Sequence, residues 1–271
     1  MLGHACASLT NHLEQCNDPK TQIAPLIGNI FSKLWDIMEN GSCFVREHAL
    51  SAISALSVGA GSEYFLPFYD DNMNKLLSII ENYQKDEFKK LRGHAIECAS
   101  ITSKSVGKEK FTPYCGRLVT LMMNIQNQIN CTENEEDDPQ MAFLLSAWQR
   151  ISGVMKDDFY PFLDQLMPSL LTMCKSIINN GKKYENENPL EPTEEEPNKQ
   201  KFNAYEDDNC FVAMNMIKMF LKRCGSALAK HVKDIYEVIV PLMDYLPNES
   251  VREIACSSLP NLVLALKGAE S

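Results

Sequence analysis

Few groups of side chains in this sequence have the composition of a reactive site, and Arg46, Glu47 and His48 form one of them. They are consecutive in an otherwise small and apolar segment, CFVREHALSAISAL. Such a group is typical of a metal site or a general acid–base site. Yet His4, His48 and His94 are spaced 44 and 46 residues apart, and an alanine follows each of them. This recurrence indicates a structural position that is repeated along the chain.

Repetition at this interval argues against a shared metal or catalytic centre. Equivalent positions in successive helical repeats lie about 10 Å apart. The ligand atoms of one metal ion must each lie about 2 Å from that ion, so side chains at these positions cannot share it. The ten cysteines are scattered, without a CxxC pair, and are expected to be buried free thiols. Gly107-Lys108 lacks the earlier glycine of a phosphate-binding loop, and Gly59-Ala60-Gly61 lacks the third glycine of a dinucleotide fingerprint. We therefore expect no catalytic residue, no metal, no cofactor and no enzymatic activity.

The elements that position these residues are two alternating kinds of helix. The first kind opens with a Phe-x-Pro phrase or a variant of it, followed by apolar residues at helical spacing, in segments 24–38, 65–80, 111–125 and 159–174. Its prolines are Pro25, Pro67, Pro113 and Pro161, separated by 42, 46 and 48 residues. Because proline needs no backbone donor in the first turn of a helix, we expect each proline there.

The second kind of helix is rich in small residues, which allow close approach of neighbouring helices. It recurs in segments 4–9, 45–56, 91–101, 140–151, 210–221 and 251–263. Two-helix units of about 40 to 47 residues are typical of HEAT or armadillo repeats. The sequence therefore predicts an all-α fold, an α-solenoid of HEAT-type antiparallel helix pairs. It predicts a single array over residues 1–271, of about five and a half units.

Composition and charge restrict the partners. The formal net charge of -10 repels phosphates, so direct nucleic acid binding is not expected and an electrostatic partner should be basic. No apolar run reaches the roughly 20 residues that cross a bilayer, and the start of the chain does not read as a secretory signal. We expect no membrane association, and we expect a location in the cytoplasm or the nucleus.

Three phrases carry a resemblance to a known family. They are LRGHAIECASITSKSVGKEKF at 91–111, ENEEDDPQMAFLLSAWQRI at 133–151 and VREIACSSLPNLV at 251–263. Together with the run of HEAT-like units, they resemble the middle repeats of the importin-β superfamily, and most of all its importin-five branch, also called karyopherin beta-three. The resemblance covers nearly the whole chain except the segment around 180–208.

The resemblance implies a nuclear transport receptor that moves between cytoplasm and nucleus. Its expected partners are basic cargo proteins with localisation signals on the concave face and Phe-Gly repeats of nucleoporins on the convex face. The resemblance implies that full-length members release cargo when Ran-GTP binds, and we expect their main amino-terminal contact region for Ran to be absent from these residues. Two alternatives stay open: a HEAT-repeat scaffold without a transport role, and a truncated relative that has lost Ran-regulated transport.

Helical geometry suggests which side chains meet the cargo. In solenoids the second helices line the concave face, and positions off their apolar stripe point into it. The candidates are Glu47, Ser51, Glu97, Trp148 and Glu253. A glutamate and a tryptophan on adjacent second helices would pair with a lysine head and cover its stem. The alternative for Trp148 is a place in the core.

Acidic insertions and recurring arginines complete the predicted features. The first insertion supplies the acidic-loop candidates Glu133, Glu135, Glu136, Asp137 and Asp138, and the second is an acidic insertion at 180–208 that we expect to be disordered. They serve either to keep the helices soluble or to attract basic signals. Arg46, Arg92 and Arg252 recur at one position of the repeat. We expect this structural ladder to pair with carboxylates of neighbouring repeats.

Overall fold

The computed structural model describes residues 2–15, 22–131, 138–187 and 204–269, and these are almost entirely helical. The α-helices in chain order are α1 (Leu2–Gln15), α2 (Ile27–Asn40), α3 (Cys43–Ala60), α4 (Ser62–Asn82), α5 (Lys89–Val106), α6 (Lys108–Cys131), α7 (Gln140–Met155), α8 (Tyr160–Glu187), α9 (Ala204–Cys224), α10 (Val232–Met243) and α11 (Glu249–Ala269). Short 3-10 helices cover Asp86–Phe88, Lys156–Phe159 and Gly225–His231. None of the described helices is long and apolar enough to span a membrane.

The helices pair as the repeat predicts, and the all-α, HEAT-type fold class is confirmed. The pairs are α2–α3, α4–α5, α6–α7, α8–α9 and α10–α11, with α1 as a further second helix. The chain divides into two compact units, residues 1–156 and residues 157–271. That all pairs form one array stays a prediction. Helix α8 reaches Glu187 and α9 begins at Ala204, so the middle of the predicted insertion at 180–208 lies outside the described residues.

Within the first unit, small residues bring the second helices together. Helix α3 packs against α1 and α5, and α5 packs against α7. Their contact surfaces are built from fully buried small side chains such as Ala52, Ala60, Ala95 and Ala99. Larger side chains fill the remaining space and close it to water. These second helices therefore form a continuous layer, whose outer side carries the candidate residues Glu47 and Glu97.

Single residues with positive φ separate one repeat from the next. Helix α3 ends at Ala60 and α4 begins at Ser62, with Gly61 between them at φ 82°. Gly107 separates α5 from α6 in the same way at φ 88°, and Lys156 follows α7 at φ 53°. Glycine reaches this region at little steric cost because it has no Cβ. Gly61 and Gly107, which complete no nucleotide-binding motif, are thus the junctions between repeats.

The expected position of the prolines was wrong for three of the four, Pro25, Pro67 and Pro113. Pro67 and Pro113 lie inside α4 and α6, at the sixth residue in each, and not in the first turn. The junction glycines explain the difference, because a one-residue junction starts the next helix almost a turn before the Phe-x-Pro phrase. Pro161 is the second residue of α8, as expected, and Pro25 precedes α2 by two residues.

Candidate functional site

A charged part of the second-helix layer extends over α3, α5 and α7, with α5 packed between the other two. Glu97 of α5 is half-buried, with 29% of its side chain exposed. One of its carboxylate oxygens lies 3.5 Å from Arg150 Nη2, and the other lies 3.8 Å from His94 Nδ1. Glu47 on α3 is also half-buried and acts electrostatically on His94. Two carboxylates and two basic side chains from three helices therefore share one stretch of surface, which we call the Glu97 cluster.

Arg150 enters the Glu97 cluster from α7, the helix next to α5. Its Nη1 donates to Ser100 Oγ at 3.3 Å, one helical turn along from Glu97. Ser100 in turn donates to the carbonyl of Glu97 at 2.8 Å. The sequence reasoning missed Arg150. The available signal was that Arg150 is the one charged residue in the helix sequence QMAFLLSAWQRISGVM, because an isolated charge in an apolar helix requires a partner or water.

His94 is a neutral component of this surface near pH 7. Burial lowers the pKa of His94 below its usual value, and the carboxylate of Glu47 acts in the opposite direction. Its ring centroid lies 4.7 Å from that of Phe143, which also covers Gly93. This packing matches the structural role predicted from recurrence. No group of histidine, cysteine and carboxylate side chains that could hold a metal ion occurs among the residues that the structure describes.

Trp148 lies in the core, and its prediction as a cargo contact was wrong. The side chain is fully buried, and its indole Nε1 donates to Gln126 Oε1 at 2.7 Å. When the second helices are aligned on their small residues, Trp148 takes the same repeat position as Ser54 and Ser100, and both of these are buried as well. That position faces neighbouring helices. In this repeat the space between the helices is filled by a tryptophan, whereas in other repeats it is small enough for a serine to fill. The core alternative is the one that the structure supports.

The remaining cargo candidates lie on more accessible surface. Ser51 is half-buried, and its hydroxyl donates to the carbonyl of Glu47 at 3.3 Å, one turn earlier in α3. Glu253 is exposed on α11, in the second unit. Glu47 and Glu97 thus belong to the Glu97 cluster, and Ser51 lies beside Glu47. Their role in binding stays a prediction.

The recurring arginines share one structural role, but the predicted partners were wrong. Arg46 donates to the carbonyl of Glu39 at 3.1 Å and to the hydroxyl of Tyr83 at 3.1 Å. Buried Arg92 donates through Nη1 to the carbonyls of Tyr83 and Lys85, and through Nε to Gln140 Oε1 at 2.8 Å.

Arg252 completes the same pattern in the second unit. It donates to the carbonyls of Tyr245 and Leu246 at 3.1 and 2.9 Å. Each of the three arginines therefore binds carbonyls in the last turn of the preceding first helix or just beyond its end. Carbonyls at the end of a helix lack a helical donor, and the negative end of the helix dipole attracts a cation, which explains why the partners are not carboxylates.

Of the acidic-loop candidates, Asp138 falls within the described residues, and Glu133, Glu135, Glu136 and Asp137 lie outside them. Asp138 is not a freely solvated carboxylate. It accepts hydrogen bonds from the backbone amide of Gln140 at 2.9 Å and from its side chain at 3.0 Å, and it pairs with Lys89 at 3.0 Å. Burial acts to raise the pKa of Asp138, but these bonds outweigh it and the pKa is lowered. Asp138 therefore secures the start of α7.

Comparison with known proteins tests the resemblance. No protein-family model matches the chain. The chain is 27% identical to importin subunit beta-3 of Saccharomyces cerevisiae over 98% of its own length and 24% of the relative. It is 26% identical to a probable importin-5 homolog of Dictyostelium discoideum, over 95% of its own length and 23% of the relative. The predicted resemblance to the importin-five branch of the importin-β superfamily is confirmed.

Solved structures agree in fold. The crystal structure of Kap121p bound to Nup53p has a TM-score of 0.77 with 24% identity, covering 99% of this chain and 25% of that one. The crystal structure of Kap121p bound to Pho4p has a TM-score of 0.74 with the same identity and coverage. The chain spans about a quarter of the length of the curated relatives that it matches. Activities and partners of the whole relatives are therefore proposals for this chain.

Proposed function

We propose that this chain is a segment of an importin-type transport receptor, and that it binds basic protein segments on the second-helix layer of its first unit. The observation that carries the proposal is the pair of half-buried carboxylates, Glu47 and Glu97, on adjacent helices α3 and α5. Half-buried carboxylates attract a cation more strongly than exposed ones because less water screens them. The importin names of the relatives support the same kind of function.

An extended peptide suits this surface better than a folded domain does. Successive second helices lie about 10 Å apart, which three residues of an extended strand span at about 3.3 Å per residue. Lysines at that interval would reach carboxylates on successive helices. Their aliphatic stems would lie along the apolar parts of the layer. The ligand class is therefore a Lys-rich, extended segment, of the kind that localisation signals provide.

The test measures binding of a Lys-rich peptide by calorimetry at low and high salt, beside a peptide in which every lysine is replaced by glutamine. The parent should bind the Lys-rich peptide and not the glutamine peptide. Its affinity for the Lys-rich peptide should fall as salt screens the charges. Glu97→Lys should abolish most of this binding. Glu63→Lys is the control, because Glu63 is exposed on the first helix α4 and undergoes the same change of charge. Equal loss in both variants would contradict binding on the second helices.

A transport role further requires nucleoporin and Ran contacts, which we include in the proposal. The crystallised relative Kap121p is bound to Nup53p, which supports a nucleoporin as a kind of partner. A transport receptor should bind a Phe-Gly peptide and should lose this binding when the phenylalanines are replaced by serines. A HEAT scaffold without a transport role should not bind the Phe-Gly peptide. Cargo-peptide capture with and without Ran-GTP then tests Ran regulation, and import of a fluorescent fusion of the chain into nuclei tests the cytoplasmic and nuclear location.

A further inference from the structure

We propose that Arg150 competes with the cation of a peptide ligand for the carboxylate of Glu97. Arg150 thereby sets how much positive charge a peptide needs in order to bind. The inference rests on the proposed function, because it concerns the selectivity of the same surface. It starts from the fact that Glu97 already has a cation: Arg150 Nη2 lies 3.5 Å from its carboxylate. A peptide lysine that pairs with Glu97 must displace this guanidinium or share the carboxylate with it.

The contacts of Arg150 are those of a cation that can be displaced. The distance of 3.5 Å to Glu97 and that of 3.3 Å to Ser100 are both at the long end of hydrogen-bonding range. On the first helices, by contrast, Arg117 binds Glu81 through two parallel bonds of 2.8 and 2.5 Å. Bidentate pairs of this kind hold their geometry, whereas a single long contact is weak. Arg117–Glu81 is therefore a fixed pair, and Arg150–Glu97 is a loose one.

Among the residues that the structure describes, Glu97 is the one carboxylate within ion-pair distance of Arg150. Arg150 has 27% of its side chain exposed and Glu97 has 29%, so both groups are reached by solvent and by a ligand. Besides Arg150, the described side chains in contact with Glu97 are His94, whose imidazole is held neutral near pH 7 by burial, and Ser100, which is uncharged. When a lysine takes the carboxylate, Arg150 keeps its bond to the Ser100 hydroxyl and moves its remaining donors to water.

Competition of this kind discriminates among peptides by charge. A ligand with one lysine gains one ion pair at Glu97 and disrupts another, so its net gain there is small. A ligand with several spaced lysines also reaches Glu47 on α3, where the described structure contains no competing arginine pair. The surface should consequently bind multiply basic segments and reject singly basic ones. Arg150 gives this rejection at Glu97 without a steric barrier.

Calorimetry of Lys/Gly peptides with the whole chain tests the inference. Arg150→Gln should tighten binding of a one-lysine peptide by about two- to five-fold at low salt, the range of a half-exposed ion pair. The gain should disappear at high salt, and it should be absent when Glu97→Gln is already present. Arg117→Gln is the matched control, because it changes the net charge equally on a first helix and should tighten binding less.

The results of these titrations distinguish failure of the inference from failure of the proposed function. An Arg150→Gln variant that keeps the helical circular dichroism of the parent but binds no more tightly, or more weakly, overturns the inference and leaves the proposed function standing. Equal tightening by Arg117→Gln also overturns it, because the effect is then one of net charge. If the parent binds no Lys-rich peptide while Arg150→Gln does, the competition is supported in its strongest form. If neither binds, the proposed function and the inference both fail.

Discussion

Gly107 shows at the scale of one residue how the repeat is divided. The residue lies between α5 and α6 at φ 88°, and a Cβ added there would meet no atom within 4 Å. Its role is therefore conformational and does not involve packing. Gly116 offers the opposite case, because it lies inside α6, is exposed, and also has open space around an added Cβ.

We expect alanine to have opposite effects at these two glycines. Gly107→Ala should destabilise the protein by about 1–3 kcal/mol, since a Cβ is strained at positive φ. Gly116→Ala should stabilise it by about 0.5–1 kcal/mol, because alanine loses less backbone entropy in a helix. Urea unfolding followed by circular dichroism measures both. A loss of stability in Gly116→Ala, or an unchanged stability in Gly107→Ala, would contradict this conformational explanation.

At the residue scale, a period along the chain is visible in the sequence, whereas the direction of a side chain is not. The structural role of His48 and His94, inferred from their recurrence, stays a prediction. The burial of Trp148 could not be predicted, because its position in the repeat does not show which side of the helix its neighbours cover. Arg150 was missed for a related reason: its partner Glu97 lies 53 residues earlier in the sequence, on a neighbouring helix.

At the scale of the element, three second helices, α3, α5 and α11, each secure the first helix that precedes them through one arginine. Arg92 makes this connection in buried surroundings, with 3% of the residue exposed. It satisfies two carbonyls beyond the end of α4 and the side chain of Gln140 at the start of α7. The helix types and their order were predictable from periodicity. The carbonyl partners were not, because backbone groups carry no sequence signal.

Arg92→Lys should destabilise the first unit although it preserves the charge. A lysine ammonium cannot reach acceptors in the three directions that the planar guanidinium serves, and a buried carbonyl left without a donor costs about 1–3 kcal/mol. Arg117→Lys is the control, since that side chain is 49% exposed and its ion pair with Glu81 is worth about 0–1 kcal/mol. Chemical denaturation of both variants measures the difference. Equal stability of the two would contradict the carbonyl-binding role of Arg92.

The start of α7 should respond to pH through Asp138. The pKa of Asp138 is lowered in the folded protein, where its hydrogen bonds from Gln140 and its ion pair with Lys89 outweigh the effect of burial. The carboxylate therefore stabilises the fold above the unfolded pKa of about 3.9, and this contribution is lost as the pH falls through the lower folded pKa. Asp138→Asn keeps an acceptor for the Gln140 amide but removes the charge.

We expect Asp138→Asn to lower the free energy of unfolding by about 1 kcal/mol at pH 7, and we expect the difference from the parent to shrink below about pH 4. Urea titrations at a series of pH values measure this directly. Asp70→Asn is a useful comparison, because Asp70 also has a lowered pKa, from hydrogen bonds with Lys110 and Tyr114, but lies on the first helix α4. A difference for Asp138→Asn that is independent of pH would assign its effect to packing.

At the scale of the whole molecule, the Glu97 cluster belongs to one of the two compact units. Glu47, Glu97 and Arg150 all lie within residues 1–156, and Glu253 lies within residues 157–271. The repeat made the helix pairs of the described residues predictable, but it did not reveal this division, because a period in the sequence does not show where one compact unit ends and the next begins. The division makes a direct prediction about where binding is located.

Residues 1–156 alone should bind the Lys-rich peptide with an affinity close to that of the whole chain, because every described group of the Glu97 cluster is present. In the whole chain, Glu253→Lys should weaken binding no more than a distant change of charge does, roughly two-fold at low salt and less as charges are screened beyond about 8–10 Å. Calorimetry at two salt concentrations, after circular dichroism has verified the helical content of the fragment, measures both. A folded fragment that lost binding, together with a strong effect of Glu253→Lys, would assign the basic-peptide surface to α11 in the second unit and not to α3 and α5.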